Sequence, residues 1–121
     1  MAEAIRPPKE IRVSHDRRTM TVVQESGRED VFTAEMLRVL SPSAEVQGHG
    51  PGQRITVAGK MYVRISSLEP VGRYATRIVF DDGHSTGLYT WTYLDQLARE
   101  KEERWQVYLD EMAAKRLHRE P

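Results

Sequence analysis

The chain has 121 residues, with 18 basic and 18 acidic side chains, so it carries no net charge at pH 7. This length is enough for one domain with a buried core, and 39% hydrophobic with 30% charged residues is typical of a globular protein. The balanced charge gives no general attraction to nucleic acid or to an anionic membrane. The absence of cysteine excludes disulfides, thiolate zinc sites and iron–sulfur clusters held by cysteine.

Targeting segments are not evident either. The first ten residues contain no apolar run long enough for a signal peptide, and no segment reaches the roughly 20 apolar residues of a membrane span. We therefore expect a cytoplasmic protein that does not bind a membrane.

The first third of the chain predicts a small β-unit. Residues 1–9 contain a Pro-Pro pair and few apolar anchors, so we expect a flexible arm. Residues 11–13 and 20–23 are rich in β-forming side chains on either side of a polar turn, which predicts a hairpin. A short third strand is expected at 30–32.

A short helix and a second set of strands are predicted next. Thr33 is a suitable N-cap for a helix over 34–40, which Pro42 ends. Residues 43–54 hold three glycines and a proline, which favours a plain connector, with a functional loop as the alternative. From residue 54 the β pattern resumes, with Ala58–Gly59 as the expected hairpin turn.

The stretch FDDGHSTGLYTW, residues 80–91, combines acidic, imidazole and aromatic side chains. It follows an alternating strand, and Asp82–Gly83 predicts a type I′ turn leading to a short return strand at 88–89. Gly87 is expected to permit a close backbone approach. These assignments account for the stretch except for His84, and a lone histidine beside a turn is more often structural than a ligand.

The last third predicts helix. Thr90 is the expected N-cap, and no glycine or proline follows until Pro121. The helix is expected to be either continuous or bent near residues 99–102. The fold class predicted is α+β, with a twisted, mostly antiparallel sheet of five or six short strands, a short helix and a long C-terminal helix. We expect the domain to span 10–100 and a helical extension to span 101–121.

Two stretches resemble a known family. LRVLSPSAEVQGHG, followed at a distance by LEPVGRYATRIVFDDGHSTGLYTWTYL, is similar to the N-terminal domain of gamma-butyrobetaine hydroxylase and trimethyllysine hydroxylase. The similarity is greater still to the small bacterial domain of unknown function related to it. That domain occurs alone and also attached to ATPase-type iron–sulfur carriers. The resemblance covers roughly residues 8–98.

The resemblance implies a zinc module whose ligands are largely replaced in this chain. In the hydroxylases three cysteines and a later histidine hold the metal, and their positions fall on Ser41, Ser43, Val46 and His84. Because serine hydroxyls are poor zinc ligands and valine is none, we expect the zinc site to be lost. His84 is then expected to hydrogen-bond to Ser41 or Ser43. A related cluster is expected in which Arg38 pairs with Asp81 or Asp82 beside His84.

Hydroxylase activity is not expected from this chain. Iron(II)/2-oxoglutarate oxygenases hold iron with two histidines and a carboxylate in a much larger barrel. The sequence has four histidines and no His-x-Asp pair, so it lacks both the barrel and the iron triad. We therefore expect a protein that is not an enzyme and that uses no cofactor.

Four functional interpretations remain open on the sequence. The first is a protein-interaction module that self-associates or binds a partner through Trp105, Tyr108, Leu109 and Met112, unless that face packs on the protein's own sheet. The second, implied by the resemblance, is an accessory role in iron–sulfur cluster assembly, with a carrier ATPase as partner. The third is a weak divalent-metal site at Asp81, Asp82 and His84, with His49 as a further candidate. Nucleic-acid binding is the fourth and is not expected, although several arginines and two tyrosines could form a patch: Arg17, Arg18, Arg64, Arg73, Arg77, Tyr62 and Tyr74.

Overall fold

The structure is a computed structural model that describes residues 6–48 and 54–121. It confirms an α+β fold with six short strands and four helices in this part of the chain. The strands are β1 (Glu10–Val13), β2 (Thr19–Val23), β3 (Glu29–Thr33), β4 (Ile65–Val71), β5 (Ala75–Phe80) and β6 (Leu88–Thr90). The helices are α1 (Ala34–Val39), α2 (Ala44–Gln47), α3 (Trp91–Arg99) and α4 (Lys101–Ala114).

The strands form two antiparallel sheets of three rather than one sheet of six. The first has the order β1-β2-β3 and the second β4-β5-β6. Alternation in β2 turns Met20 and Val22 inward, where both are at most 2% exposed. The Ile65 N–H of the second sheet donates to the Arg17 carbonyl beside the first, at 2.8 Å, and so joins the two sheets. Most of residues 1–9, the predicted flexible arm, lie outside the described residues, but the Lys9 N–H extends the β1–β2 pairing by donating to Val23.

The predicted hairpin at Ala58–Gly59 is wrong. Residues 54–64 contain no strand, and the sheet begins only at Ile65. The N–H groups of Gly59 and Met61 donate instead to the carbonyls of His118 and Arg119, at 2.9 and 3.0 Å. This segment therefore finds its hydrogen-bond partners at the far end of the chain, which local sequence cannot indicate.

The turn after β5 also differs from the predicted type I′ turn. Type I′ needs positive φ at both central residues, whereas here Gly83 has φ +92° and Asp82 is not in the left-handed region. The Gly83 N–H donates to the Phe80 carbonyl, and the Phe80 N–H donates to His84. The return strand begins at Leu88, so a longer loop, residues 81–87, carries His84 back toward α1.

The helix caps are as predicted. The Thr33 hydroxyl accepts from the Met36 N–H at 3.0 Å, and the Thr90 hydroxyl accepts from the Tyr93 N–H at 2.9 Å. The C-terminal helix is not continuous: α3 ends at Arg99, Glu100 has non-helical φ and ψ, and α4 follows. The bent form of the two sequence alternatives is therefore the correct one.

The predicted interface on α4 is largely part of the core. Tyr108 is 0% exposed and Met112 is 4% exposed, while Trp105 and Leu109 are half-buried and pack against the same core. The Tyr108 hydroxyl donates to the Val57 carbonyl at 2.6 Å, and burial raises the pKa of Tyr108 to about 12. Residues 101–121 are thus integrated with the domain, as the alternative interpretation held. Within the described ranges, no helix combines the length and apolarity needed to cross a membrane.

Candidate functional site

The four positions at which the resemblance places zinc ligands are connected by hydrogen bonds in this structure. Ser41 follows α1, Ser43 precedes α2, Val46 lies in α2, and His84 comes from the loop after β5. The Ser41 hydroxyl is 2.9 Å from His84 Nε2, and the Ser43 hydroxyl is 3.5 Å from the same atom. The two hydroxyl oxygens are 3.3 Å apart. The hydrogen bond expected between His84 and the serine-bearing loop is therefore present.

These groups are closed off from solvent. Ser41 is 0% exposed, Val46 is 2% exposed, and the His84 side chain is 3% exposed. Gly87 covers the cluster, since a Cβ placed there would lie 2.4 Å from the Ser41 hydroxyl. Gly87 therefore permits the close approach that the sequence predicts. We call Ser41, Ser43, His84 and the covering Gly87 the serine–histidine cluster.

Glu45 completes a hydroxyl–imidazole–carboxylate series. Its Oε2 lies 3.3 Å from His84 Nδ1, on the opposite side of the ring from Ser41. With the Nδ1 proton directed at Glu45, Nε2 is free to accept the Ser41 proton. This order of groups occurs in serine hydrolases. Here, however, Ser41 is 0% exposed and Gly87 lies against its hydroxyl.

Charged side chains around Asp82 hold the backbone of the loop that carries His84. Asp82 Oδ2 lies 2.7 Å from Arg38 Nε and 2.7 Å from Lys60 Nζ. Its other oxygen accepts the His84 N–H at 3.0 Å. Burial opposes ionisation of Asp82, but these three donors prevail and lower its pKa to about 2. Asp81 makes a different contact, accepting the Arg64 N–H at 3.0 Å.

The charge state of His84 follows from the same surroundings. Burial lowers its pKa below the ordinary value of 6.5, and the positive charge of Arg38 lowers it further. Glu45 and Asp82 oppose this shift without reversing it. The surroundings therefore favour the neutral form of His84, whose ring can donate to one of its two neighbours and accept from the other.

Zinc does not fit this set of side chains. Bonds of about 2.0–2.1 Å from nitrogen and oxygen would hold tetrahedral ligands roughly 3.3 Å apart, whereas Ser41 and His84 are in direct contact at 2.9 Å. One imidazole, two hydroxyls and a valine also offer too few donors. Among the described residues no three His, Asp or Glu side chains are grouped to hold a metal ion. His49, the further candidate, lies outside the described residues.

The sequence did not indicate two members of the site. Glu45 lies in the first turn of α2, two residues after Ser43, and that spacing is the only signal it gives. Lys60 lies in the segment wrongly predicted as a hairpin, so no local pattern could have placed it against Asp82. The arginine and tyrosine patch is only partly assembled: Arg18 stacks on Tyr62 at 5.5 Å, whereas Arg77 pairs with Glu69 in the second sheet.

Known proteins share this arrangement of elements. The family described as gamma-butyrobetaine hydroxylase-like, N-terminal, matches residues 11–95. One solution NMR structure is 42% identical with a TM-score of 0.82, covering 98% of this chain and 93% of that chain. A second is 39% identical with a TM-score of 0.81, covering 96% of this chain and 86% of that chain.

A crystal structure extends the comparison. It is of a protein of unknown function from Acidithiobacillus ferrooxidans ATCC 23270, which belongs to the DUF971 family. It is 37% identical with a TM-score of 0.64, covering 80% of this chain and 98% of that chain. No curated protein matches the chain. The chain therefore belongs to the gamma-butyrobetaine hydroxylase-like N-terminal domain family, which includes small domains of unknown function that stand alone.

Proposed function

We propose that this chain is a non-catalytic protein-interaction module in which the zinc site of the related hydroxylases is lost and the serine–histidine cluster takes its structural place. One observation carries the proposal. The Ser41 hydroxyl is fully buried and hydrogen-bonded to His84, at the positions where the hydroxylases resembled by this sequence hold zinc. A buried hydrogen bond of this kind fastens two loops together but offers nothing for a substrate or metal to bind.

The cluster supplies what a structural metal supplies elsewhere, a link between distant segments. Ser41 and His84 are separated by 43 positions in the chain, so their contact holds the loop between α1 and α2 against the loop after β5. Val46 fills the remaining ligand position with buried apolar surface. Each hydrogen bond contributes only about 1 kcal/mol net, so the apolar core carries most of the stability.

The charged groups nearby do not support catalysis. A general acid or base needs a pKa near the working pH and access to substrate. His84 is shielded, and Asp82 is held ionised by Arg38 and Lys60. These groups are consistent with a structural network rather than with a reaction centre.

A second copy of the chain and a different protein are both compatible with an interaction module. An iron–sulfur carrier ATPase is the specific candidate implied by the family resemblance. Because the chain has no cysteine, it would contact the carrier and not itself ligate a conventional cluster.

Metal analysis tests the first half of the proposal. The full chain, purified from zinc-supplemented cells, should contain far less than one metal ion per chain, and a chelator should leave its melting temperature unchanged. His15 is exposed, so His15→Ala is the control. If the wild type and His15→Ala contain one metal ion per chain and His84→Ala contains none, the proposal that the zinc site is lost is wrong. That result would favour the alternative, a weak divalent-metal-binding domain.

Affinity capture under anaerobic conditions tests the second half. The bait must be the full chain, because Tyr108 and Met112 belong to the core and a chain ending at Glu100 would lose them. We expect stoichiometric recovery of one protein, and recovery of a carrier ATPase would support the accessory role. A bait that captures nothing and sediments as a monomer would overturn the interaction module.

A further inference from the structure

The last five residues of the chain occupy a groove on the domain. We call residues 117–121 the C-terminal tail. The carbonyls of His118 and Arg119 accept the N–H groups of Gly59 and Met61 at 2.9 and 3.0 Å. Gly59 lies close against the end of the tail, because a Cβ placed there would be 3.5 Å from the Pro121 Cα.

The charged anchor of the tail is Arg119. Its Nε and Nη2 donate to the two carboxylate oxygens of Glu35 at 2.9 and 2.8 Å, so the contact is bidentate. Glu35 lies in α1 and is only 6% exposed. Arg119 also stacks on the ring of Trp105 at 5.4 Å. Among the described residues, Arg119 alone donates side-chain hydrogen bonds to Glu35.

The groove has the parts of a peptide-recognition site. Backbone N–H groups of a domain commonly hold an extended peptide, while a pocket selects one of its side chains. Here Gly59 and Met61 supply the N–H groups, and Glu35 with Trp105 supplies a pocket that fits a planar guanidinium. Lysine is a point charge without the fork needed for two parallel hydrogen bonds, so it fits less well.

The tail can leave without undoing the helix before it. The Leu117 N–H donates to the Met112 carbonyl and its side chain packs against the core, so α4 ends on its own contacts and residues 118–121 are the part of the tail that can leave. The side chain of Arg119 is itself 37% exposed, so solvent already reaches the charged anchor of the tail. Departure of the tail would leave the Glu35 carboxylate buried and unpaired, which is costly until another guanidinium replaces Arg119.

We propose that the groove formed by Glu35, Trp105 and Gly59–Met61 is a binding site for an extended, arginine-bearing segment of a partner protein, and that the C-terminal tail occupies it in cis. This inference rests on the proposed function and names the chemistry of the partner. A tethered occupant acts at an effective concentration of roughly millimolar. The tail therefore keeps the groove closed to weakly binding peptides.

Peptide binding to full-length variants tests the proposal. The probe is a fluorescein-labelled peptide with the sequence of the tail, LHREP, measured by anisotropy. Arg119→Ala empties the pocket, so it should bind the probe at least tenfold more tightly than the wild type. Arg116→Ala, which removes an exposed arginine outside the groove, is the matched control and should bind like the wild type. A probe with lysine in place of arginine should bind at least tenfold more weakly.

Three results would overturn the site. The first is a folded Arg119→Ala chain that binds the probe no better than the wild type. The second is equal binding of the arginine and lysine probes. The third is tight binding by Arg119→Ala that survives when Glu35→Gln is added. If Arg119→Ala does not fold, millimolar unlabelled probe added to the ¹⁵N-labelled wild type should displace the tail and shift the His118, Arg119 and Glu120 amide resonances, and unmoved resonances would overturn the proposal.

The outcomes separate this inference from the proposed function. If capture recovers a partner but the probe does not bind, the groove is wrong and the interaction module stands. If the probe binds but capture recovers nothing from a monomeric bait, the interaction module is wrong. If the wild type is a homodimer and Arg119→Ala is a monomer, the groove binds the tail of a second copy. That result would overturn the proposal that the groove binds a different protein.

Discussion

The substitution Gly87→Ala tests the serine–histidine cluster directly. The added Cβ would lie 2.4 Å from the Ser41 hydroxyl, 3.0 Å from the Tyr89 ring and 3.4 Å from Pro42. Ser41 cannot yield without losing its contact with His84, and Tyr89 is 0% exposed and fixed in the core. Gly87 is not in the left-handed region, so the effect of the substitution is steric.

The magnitude follows from the two contacts that must give way. Overpacking a close-packed site costs about 1–3 kcal/mol. Leaving the buried His84 nitrogen unsatisfied costs a further 1–3 kcal/mol or so. We therefore expect the free energy of unfolding to fall by about 2–6 kcal/mol. For a chain of this size that lowers the melting temperature by roughly 8–24 °C.

Urea unfolding followed by circular dichroism measures this loss. Gly83→Ala is the matched control, because nothing lies within 4 Å of its Cβ and only its φ of +92° is unfavourable. It should cost about 1–2 kcal/mol. Adding Ser41→Gly to Gly87→Ala removes the obstructing hydroxyl, so the double variant should be more stable than the sum of the two changes predicts. The reasoning would be refuted if Gly87→Ala lowered the free energy of unfolding no more than Gly83→Ala does. It would also be refuted if the effects of Ser41→Gly and Gly87→Ala on that free energy were strictly additive.

Four further outcomes are expected. Arg116, which follows the C-cap Lys115 of α4, has φ +54°, so Arg116→Gly should raise the free energy of unfolding by about 0.5–1 kcal/mol in urea titrations, and an unchanged value would contradict this. The Tyr89 hydroxyl donates to the buried Leu37 carbonyl at 2.5 Å, so Tyr89→Phe should lower the melting temperature through a loss of about 1–2 kcal/mol, and a neutral effect would show that the carbonyl finds another donor. Burial lowers the pKa of His84 below 6.5, so the unfolded chain takes up its proton first; stability should decrease as pH falls below about 6.5, more steeply than in His84→Gln. Asp82, with its pKa lowered from 3.8 to about 2 against the effect of burial, should add a separate loss only between about pH 4 and 2, absent in Asp82→Asn.

Local sequence determined the elements whose causes are local. The first hairpin was predictable because apolar and polar side chains alternate in residues 20–23, which indicates the side chains that face the core. The helix starts were predictable because Thr33 and Thr90 satisfy free N–H groups within three residues of themselves. The family resemblance added which distant positions, Ser41 and His84, should meet. Composition excluded cysteine chemistry outright, since no fold can supply a missing side chain.

Tertiary structure decided whatever depends on long-range partners. The segment around Gly59 carries a β-like pattern, but its N–H groups bind the C-terminal tail, so it forms no strand in the described structure. Tyr108 belongs to the core and not to an exposed interface because Val57 and the surrounding apolar side chains cover it. Lys60 pairs with Asp82, and Arg119 pairs with Glu35. The partners in each pair are far apart in the sequence, so the periodic patterns of helices and strands do not predict these contacts. Sequence patterns report the burial and hydrogen bonding of near neighbours, whereas contacts between distant segments are fixed only when the whole chain packs.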